Sequence, residues 1–138
     1  MEKPKFDTKI AIVLRDDLLS WQKLNVTAFL ASTISSHFPE TIGKDFIDSS
    51  NVGYLGMFRQ PVMIFQSNAE SLKKLYKKAR EGGLSVGIYT KKLFETQGDQ
   101  NLEAIAMFKE NEQDYVGLSF YGNKNQVDKV LDGQKLHP

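Results

Sequence analysis

The chain has 138 residues, with 18 Lys and Arg against 17 Asp and Glu, a net charge of +1, and no cysteine. That length supports one domain around one core, and the near-zero charge gives no general pull toward nucleic acid or anionic lipid. Missing cysteines exclude disulfides, thiolate metal ligands and cysteine nucleophiles.

The two histidines, His37 and His137, are too far apart for a paired-histidine metal motif. No metal and no cofactor is expected. The opening "MEKPKFDTK" is charged and lacks an apolar run, so it does not read as a signal peptide. Residues 1–8 are expected to be a flexible lead-in to a single domain over residues 1–138. No stretch is apolar enough to span a bilayer, so a soluble, cytoplasmic protein with no membrane partner is expected.

"KIAIVL", residues 9–14, is a β-branched and aliphatic run that ends at Arg15, Asp16 and Asp17, and it reads as a buried strand. Ser20 is the expected N-cap of a helix from Trp21 to about Ser36, ended by Phe38 and Pro39. Leu24, Ala28 and Ala31 mark one face of it, while Val26, Phe29, Leu30 and Ile34 place apolar groups on others. Such a helix should be covered on more than one side, either inside one domain or by a second subunit.

Residues 41–59 suggest a hairpin or an ordered loop around "SSN". "PVMIFQ", residues 61–66, is a second strand. It is followed by an amphipathic helix capped by Asn68, with Leu72, Leu75, Tyr76 and Ala79 inward and Gly82 or Gly83 at its end. "LSVGIYT", residues 84–90, is a third strand and residues 91–96 a short helical turn. Residues 101–108 fit strand or helix, residues 114–122 a further strand, and "NKNQVDKVL" a last helix with Val127, Val130 and Leu131 inward. This alternation predicts a three-layer α/β/α sandwich on a mixed, mainly parallel sheet.

In such sheets ligands bind where strand C-termini meet helix N-termini, which singles out residues 15–25. Lys23 stands in the first helical turns, where the helix dipole disfavours a cation, and Asp16 and Asp17 are near enough in sequence to compensate it. The plain reading is a local salt bridge. The sharper one is a pocket at the end of the first strand, where Lys23 meets a ligand carbonyl or anion, Asn25 and Thr27 add hydrogen bonds, and Thr90 and Gln97 join from the polar loop after the third strand. Lysines 73, 74, 77 and 78 form a basic helix face. Such a face is ordinarily solvated, but Lys73, Lys74, Lys77 and Lys78 can also contact an RNA backbone.

The strings "WQKLNVTAFLAS", "IYTKKLFET" and "YGNKNQVDKVLDGQKLHP" resemble an uncharacterised bacterial family, domain of unknown function number two thousand. More distantly the order of elements is similar to the peptidyl-tRNA hydrolase II fold. The latter resemblance implies a sandwich on about four principal strands. Those hydrolases carry Arg-Thr-Asp-Leu at the end of the first strand, where this chain has Arg15-Asp16-Asp17-Leu18, and Lys23 corresponds to the last lysine of their Lys-Gly-Lys. Their Gln-Cys-Ser-His face is replaced in the segment Val26-Thr27-Ala28-Phe29-Leu30. Their Asp-Ala-Gly-Arg-Thr-Gln keeps only its Thr-Gln, as Thr96-Gln97. Losing that carboxylate removes a plausible base.

Three expectations follow. One is a ligand-binding homodimer of unassigned role. Another is a hydrolase of an ester or amide linked to a nucleotide or RNA, with Lys23 stabilising the oxyanion, Asp17 positioning it and Thr96 supplying the nucleophile or holding its water. The third is a non-catalytic interaction module.

Overall fold

The first strand, β1 (Thr8–Arg15), is buried along six consecutive residues. Its pleat sends Ile12 and Leu14 to one side of the sheet and Ala11 and Val13 to the other, which is why an unbroken apolar run is needed. The computed structural model describes residues 4–138. Residues 1–3 of the expected flexible lead-in lie outside the described residues. Of the rest, Phe6 sits under the Arg59 guanidinium at 5.1 Å, and the Asp7 carbonyl accepts from the Lys124 amide.

Around β1 a five-stranded sheet is ordered β5-β6-β1-β4-β7, from β4 (Val62–Ser67), β5 (Ser85–Thr90), β6 (Tyr115–Asn123) and β7 (Lys135–Leu136). Only β1 and β4 pair in parallel. The pairs β1/β6, β5/β6 and β4/β7 are antiparallel. The sheet is therefore mixed but mostly antiparallel, which corrects the mainly parallel sheet expected from the alternation of elements. The reason lies in the helix α3 (Gln100–Ala106) between β5 and β6. The segment that holds it closes where it opens, with the Lys91 amide donating to the Asp114 carbonyl at 3.0 Å, so α3 does not carry the chain back across a sheet face. The chain stays at the edge where β5 ends, and β6 starts there in the opposite direction.

Helix α1 (Ser20–His37) packs on one face of the sheet, with Val26 and Leu30 against Ile12, Leu14 and Val116. Helices α2 (Ala69–Glu81) and α4 (Lys124–Val130) cover the other, with Leu72, Leu75, Ala79 and Val127 against Ala11, Val13 and Phe120. Asn68 caps α2 by accepting the Ser71 amide at 2.8 Å. The α1 cap differs from expectation. Ser20 is already helical, Leu19 is the N-cap residue, and the Gln22 side chain accepts the Leu19 amide at 2.9 Å.

The buried stripe of α1 is Val26, Leu30 and Ile34, spaced four apart. Leu24 and Ala28, expected on one apolar face, are exposed, as are Trp21 and Phe29. Within one chain α1 is thus covered on a single side. Two of its hydroxyls bond within the helix: those of Thr27 and Thr33 donate to the carbonyls of Lys23 and Leu30.

Residues 41–59 contain a two-stranded hairpin of β2 (Phe46–Ile47) and β3 (Gly53–Tyr54). Asp48 holds its turn, accepting the Ser50 and Val52 amides at 2.8 and 3.0 Å on one oxygen and the Tyr54 hydroxyl at 2.8 Å on the other. The Val52 amide, then Tyr54 and Ser50, hold the Asp48 carboxyl below its ordinary pKa. A lowered folded pKa means that the stabilisation is present above the ordinary carboxylate range and is lost as pH falls through the lowered value. The Ser50 and Val52 amide shifts should therefore titrate with a midpoint below the usual Asp value of about 3.9. A midpoint at or above that value in an NMR pH series would show that Asp48 does not hold the turn.

Candidate functional site at the carboxyl ends of the strands

Strands β1, β4 and β5 run in one direction, because β1 and β5 are each antiparallel to β6 and β1 is parallel to β4. Their carboxyl ends, at Arg15, Ser67 and Thr90, share one edge of the sheet with the first turn of α1 and the start of β6. Backbone N–H groups and loops converge at such an edge.

Lys23 projects toward β4, where its Nζ donates to Gln66 Oε1 at 3.1 Å. It lines a cavity of about 480 Å³ together with Leu14, Leu24, Thr27, Ile64 and His137. His137 reaches this wall because the chain after β7 continues along β4, with the His137 amide donating to the Ile64 carbonyl at 2.8 Å. Its Nδ1 lies 2.9 Å from the Pro138 backbone oxygen, an acceptor, which places a proton on Nδ1. In the neutral ring Nε2 is then a lone-pair acceptor, and it is buried without a partner. Few buried side-chain polar atoms go unpaired, so this one marks a place where a donor is wanted.

Neither Asp16 nor Asp17 compensates Lys23. Asp17 accepts from Arg15 Nε at 2.6 Å, and Asp114 from Arg15 Nη1 at 2.8 Å. Arg15 is 8% exposed. Its guanidinium pKa is opposed by desolvation but raised by these two carboxylates, so it stays charged. This arginine, and not the lysine, ties the end of β1 to the start of β6.

Thr90 ends β5 and lines a separate cavity of about 220 Å³, with Lys91, Lys92, Glu95, Glu112 and Asp114 among its walls. Thr96 donates to Asn101 Oδ1 at 2.6 Å, and the Gln97 amide to Gln100 Oε1 at 3.3 Å. Asn25 is exposed on α1. Lys23 and Thr27 therefore meet in one cavity, Thr90 lines another, and Asp17, Thr96, Gln97 and Asn25 line neither. Helix geometry accounts for the split. Trp21 turns toward the loop after β5, meeting Phe94 edge-on at 5.9 Å. Lys23 is two residues on, about 200° round the helix.

Sequence reasoning missed His137, Asp114 and Gln66. A lone histidine near the end of the sequence carries no pattern, and the pairings that matter join residues far apart in the chain. Lysines 73, 74, 77 and 78 lie exposed on α2, and Lys74 pairs with Glu70 at 3.5 Å. No helix among the described residues is long and apolar enough to cross a membrane.

No curated protein matches the chain. Among solved structures, Atu0240, a protein of unknown function from Agrobacterium tumefaciens strain C58, is similar. It is 36% identical with a TM-score of 0.92, and the match covers 97% of this chain and 100% of that one. The family described as "Protein of unknown function (DUF2000)" matches residues 8–138, from the first residue of β1 through the tail that carries His137. With that extent of match, the chain belongs to the DUF2000 family.

Proposed function

We propose that the protein is a small-molecule-binding homodimer whose ligand enters the Lys23–His137 cavity at the end of β1. The observation that carries this reading is that His137, whose Nε2 is buried and unpartnered, lines the same cavity as Lys23. A volume near 480 Å³ falls within the usual range for ligand pockets. Leu14, Leu24 and Ile64 supply apolar walls, Lys23 a charged donor and His137 an acceptor. A group presenting a carbonyl oxygen beside an N–H satisfies both, and an amide on a short branched hydrocarbon is the simplest such ligand.

4-Methylpentanamide is a direct probe. Its titration should shift the His137 ring protons saturably while those of His37, at the other end of α1, stay still. Lys23→Met removes a charged hydrogen-bond donor and should weaken binding about tenfold or more. Equal affinity in the variant, or no saturable shift in wild type, would falsify the site.

The dimer rests on the exposed apolar side chains of α1, Leu24 and Phe29 among them, and on the hairpin region, where Ile47, Leu55 and Met57 are exposed. A second copy supplies a matching apolar face under closed twofold symmetry. In this reading the helices on both sides of the sheet form the three-layer arrangement of the peptidyl-tRNA hydrolase II fold. Hydrolysis of an RNA- or nucleotide-linked ester is the less supported alternative, since Thr96 and Asp17 are engaged by Asn101 and Arg15.

A further inference from the structure

The cavity at the end of β5 has the composition of a different site. Thr90 is 2% exposed and its hydroxyl has no hydrogen-bond partner. A register shift between Tyr89 and Thr90, which pair with Gly117 and Tyr115, re-aims the strand end at this point. The surrounding walls are fixed. The Lys91 amide donates to the Asp114 carbonyl at 3.0 Å, and the buried Gln113 donates through Nε2 to the carbonyls of Ile105 and Phe108.

Charge on these walls is mostly paired. Lys92 meets Glu95 at 3.0 Å and Asp114 meets Arg15 at 2.8 Å. Among the described residues, no ion pair involves Lys91 or Glu112. Glu112 spends one oxygen on the Lys109 amide. The lining thus includes a lysine, Lys91, and a glutamate, Glu112, that enter no ion pair, beside Thr90 with its buried, unpartnered hydroxyl. At about 30 Å³ per water, 220 Å³ is the space of roughly seven waters, too small for a typical drug-sized ligand.

We propose that this cavity binds a small zwitterion, a free α-amino acid with a short side chain. Its carboxylate faces Lys91, its ammonium faces Glu112, and the Thr90 hydroxyl bonds one of the two. Opposite charges on the ligand match opposite uncommitted charges on the wall, whereas a simple anion or a simple amine leaves one of them unanswered.

The test is an NMR titration of the full chain, following the Thr90, Lys91 and Asp114 amides, with L-alanine as probe and propionate and ethylamine as its single-charge analogues. L-Alanine is expected to shift these amides saturably, with each analogue at least about tenfold weaker. Saturable binding of propionate or ethylamine as tight as that of L-alanine would overturn the zwitterion, as would no response to L-alanine at all. Thr90→Val is expected to weaken L-alanine binding about tenfold without lowering the thermal midpoint, because it removes a buried hydroxyl that the fold leaves unpaired. Thr90→Ser should retain binding. A lowered midpoint in Thr90→Val would show that the hydroxyl serves the fold, and unchanged binding would show that it does not serve the ligand.

Discussion

Leu30→Ala is expected to lower the unfolding free energy by about 2–5 kcal/mol, whereas Leu24→Ala on the same helix should change that of the monomer by no more than about 0.5 kcal/mol. The two leucines look alike in sequence. Leu30 is fully buried against Ile12, Leu14 and Val116, and truncating it leaves a cavity in a packed layer between α1 and the sheet. Leu24 is 74% exposed, so within one chain there is little to lose. Urea denaturation of the two variants measures the difference.

The same pair of residues tests the dimer. If a second copy covers the exposed face of α1, the wild-type unfolding midpoint rises with protein concentration by mass action. Leu24→Asp should then abolish that dependence and give a monomer by light scattering over a dilution series, while Leu30→Ala lowers the midpoint at every concentration. A wild type that is monomeric throughout the dilution series removes the homodimer and leaves the ranking of the two leucines intact.

The contrast between these leucines also marks where sequence stops informing. β1 and α2 are written plainly, the first as an unbroken run between charged residues and the second as a strict apolar period with an asparagine cap. α1 is written as a helix but not as a particular face of one, because apolar side chains occur all round it, and a face that meets a partner has the composition of a face that meets a core. The direction of β6 was hidden for a different reason. A helix between two strands reads as a crossover, and the Lys91–Asp114 hydrogen bond that closes this connection at one end of the sheet joins residues far apart in the chain.

The candidate site was legible as a place and not as a set of partners. The end of β1 and the end of β5 are both lined by cavities, and strand-end position alone points to them. What each polar group meets depends on register. Lys23 finds Gln66 because β4 lies beside β1, and Arg15 finds Asp114 because β6 lies on its other side. Neither neighbour relation is encoded near the residue that uses it, and His137 enters only because the chain after β7 follows β4 past Gln66.

The seat of α1 on the sheet controls where Lys23 stands, and Gly87 on β5 is one residue that permits this seat. Thr33 on α1 and Ser119 on β6 share a hydrogen bond of 2.7 Å, and Ser119 is fully buried. A Cβ at position 87 would stand 2.1 Å from the Ser119 hydroxyl oxygen and 2.4 Å from that of Thr33. Gly87→Ala must therefore either part the two hydroxyls, stranding a buried polar group, or lift the helix. Overpacking and an unsatisfied hydroxyl together set the expected loss at about 2–4 kcal/mol. Thr33→Ala removes one of the obstructing oxygens, so the double variant should lose less than the sum of the two single changes. Denaturation of all four proteins gives the coupling directly. Additive losses, or a neutral Gly87→Ala, would mean that the helix does not rest on β5 through this contact. If the helix does lift, Lys23 moves with it, away from Gln66 and His137. The binding defect of Gly87→Ala toward 4-methylpentanamide should then track its loss of stability, although residue 87 lines neither of the two cavities at the strand ends.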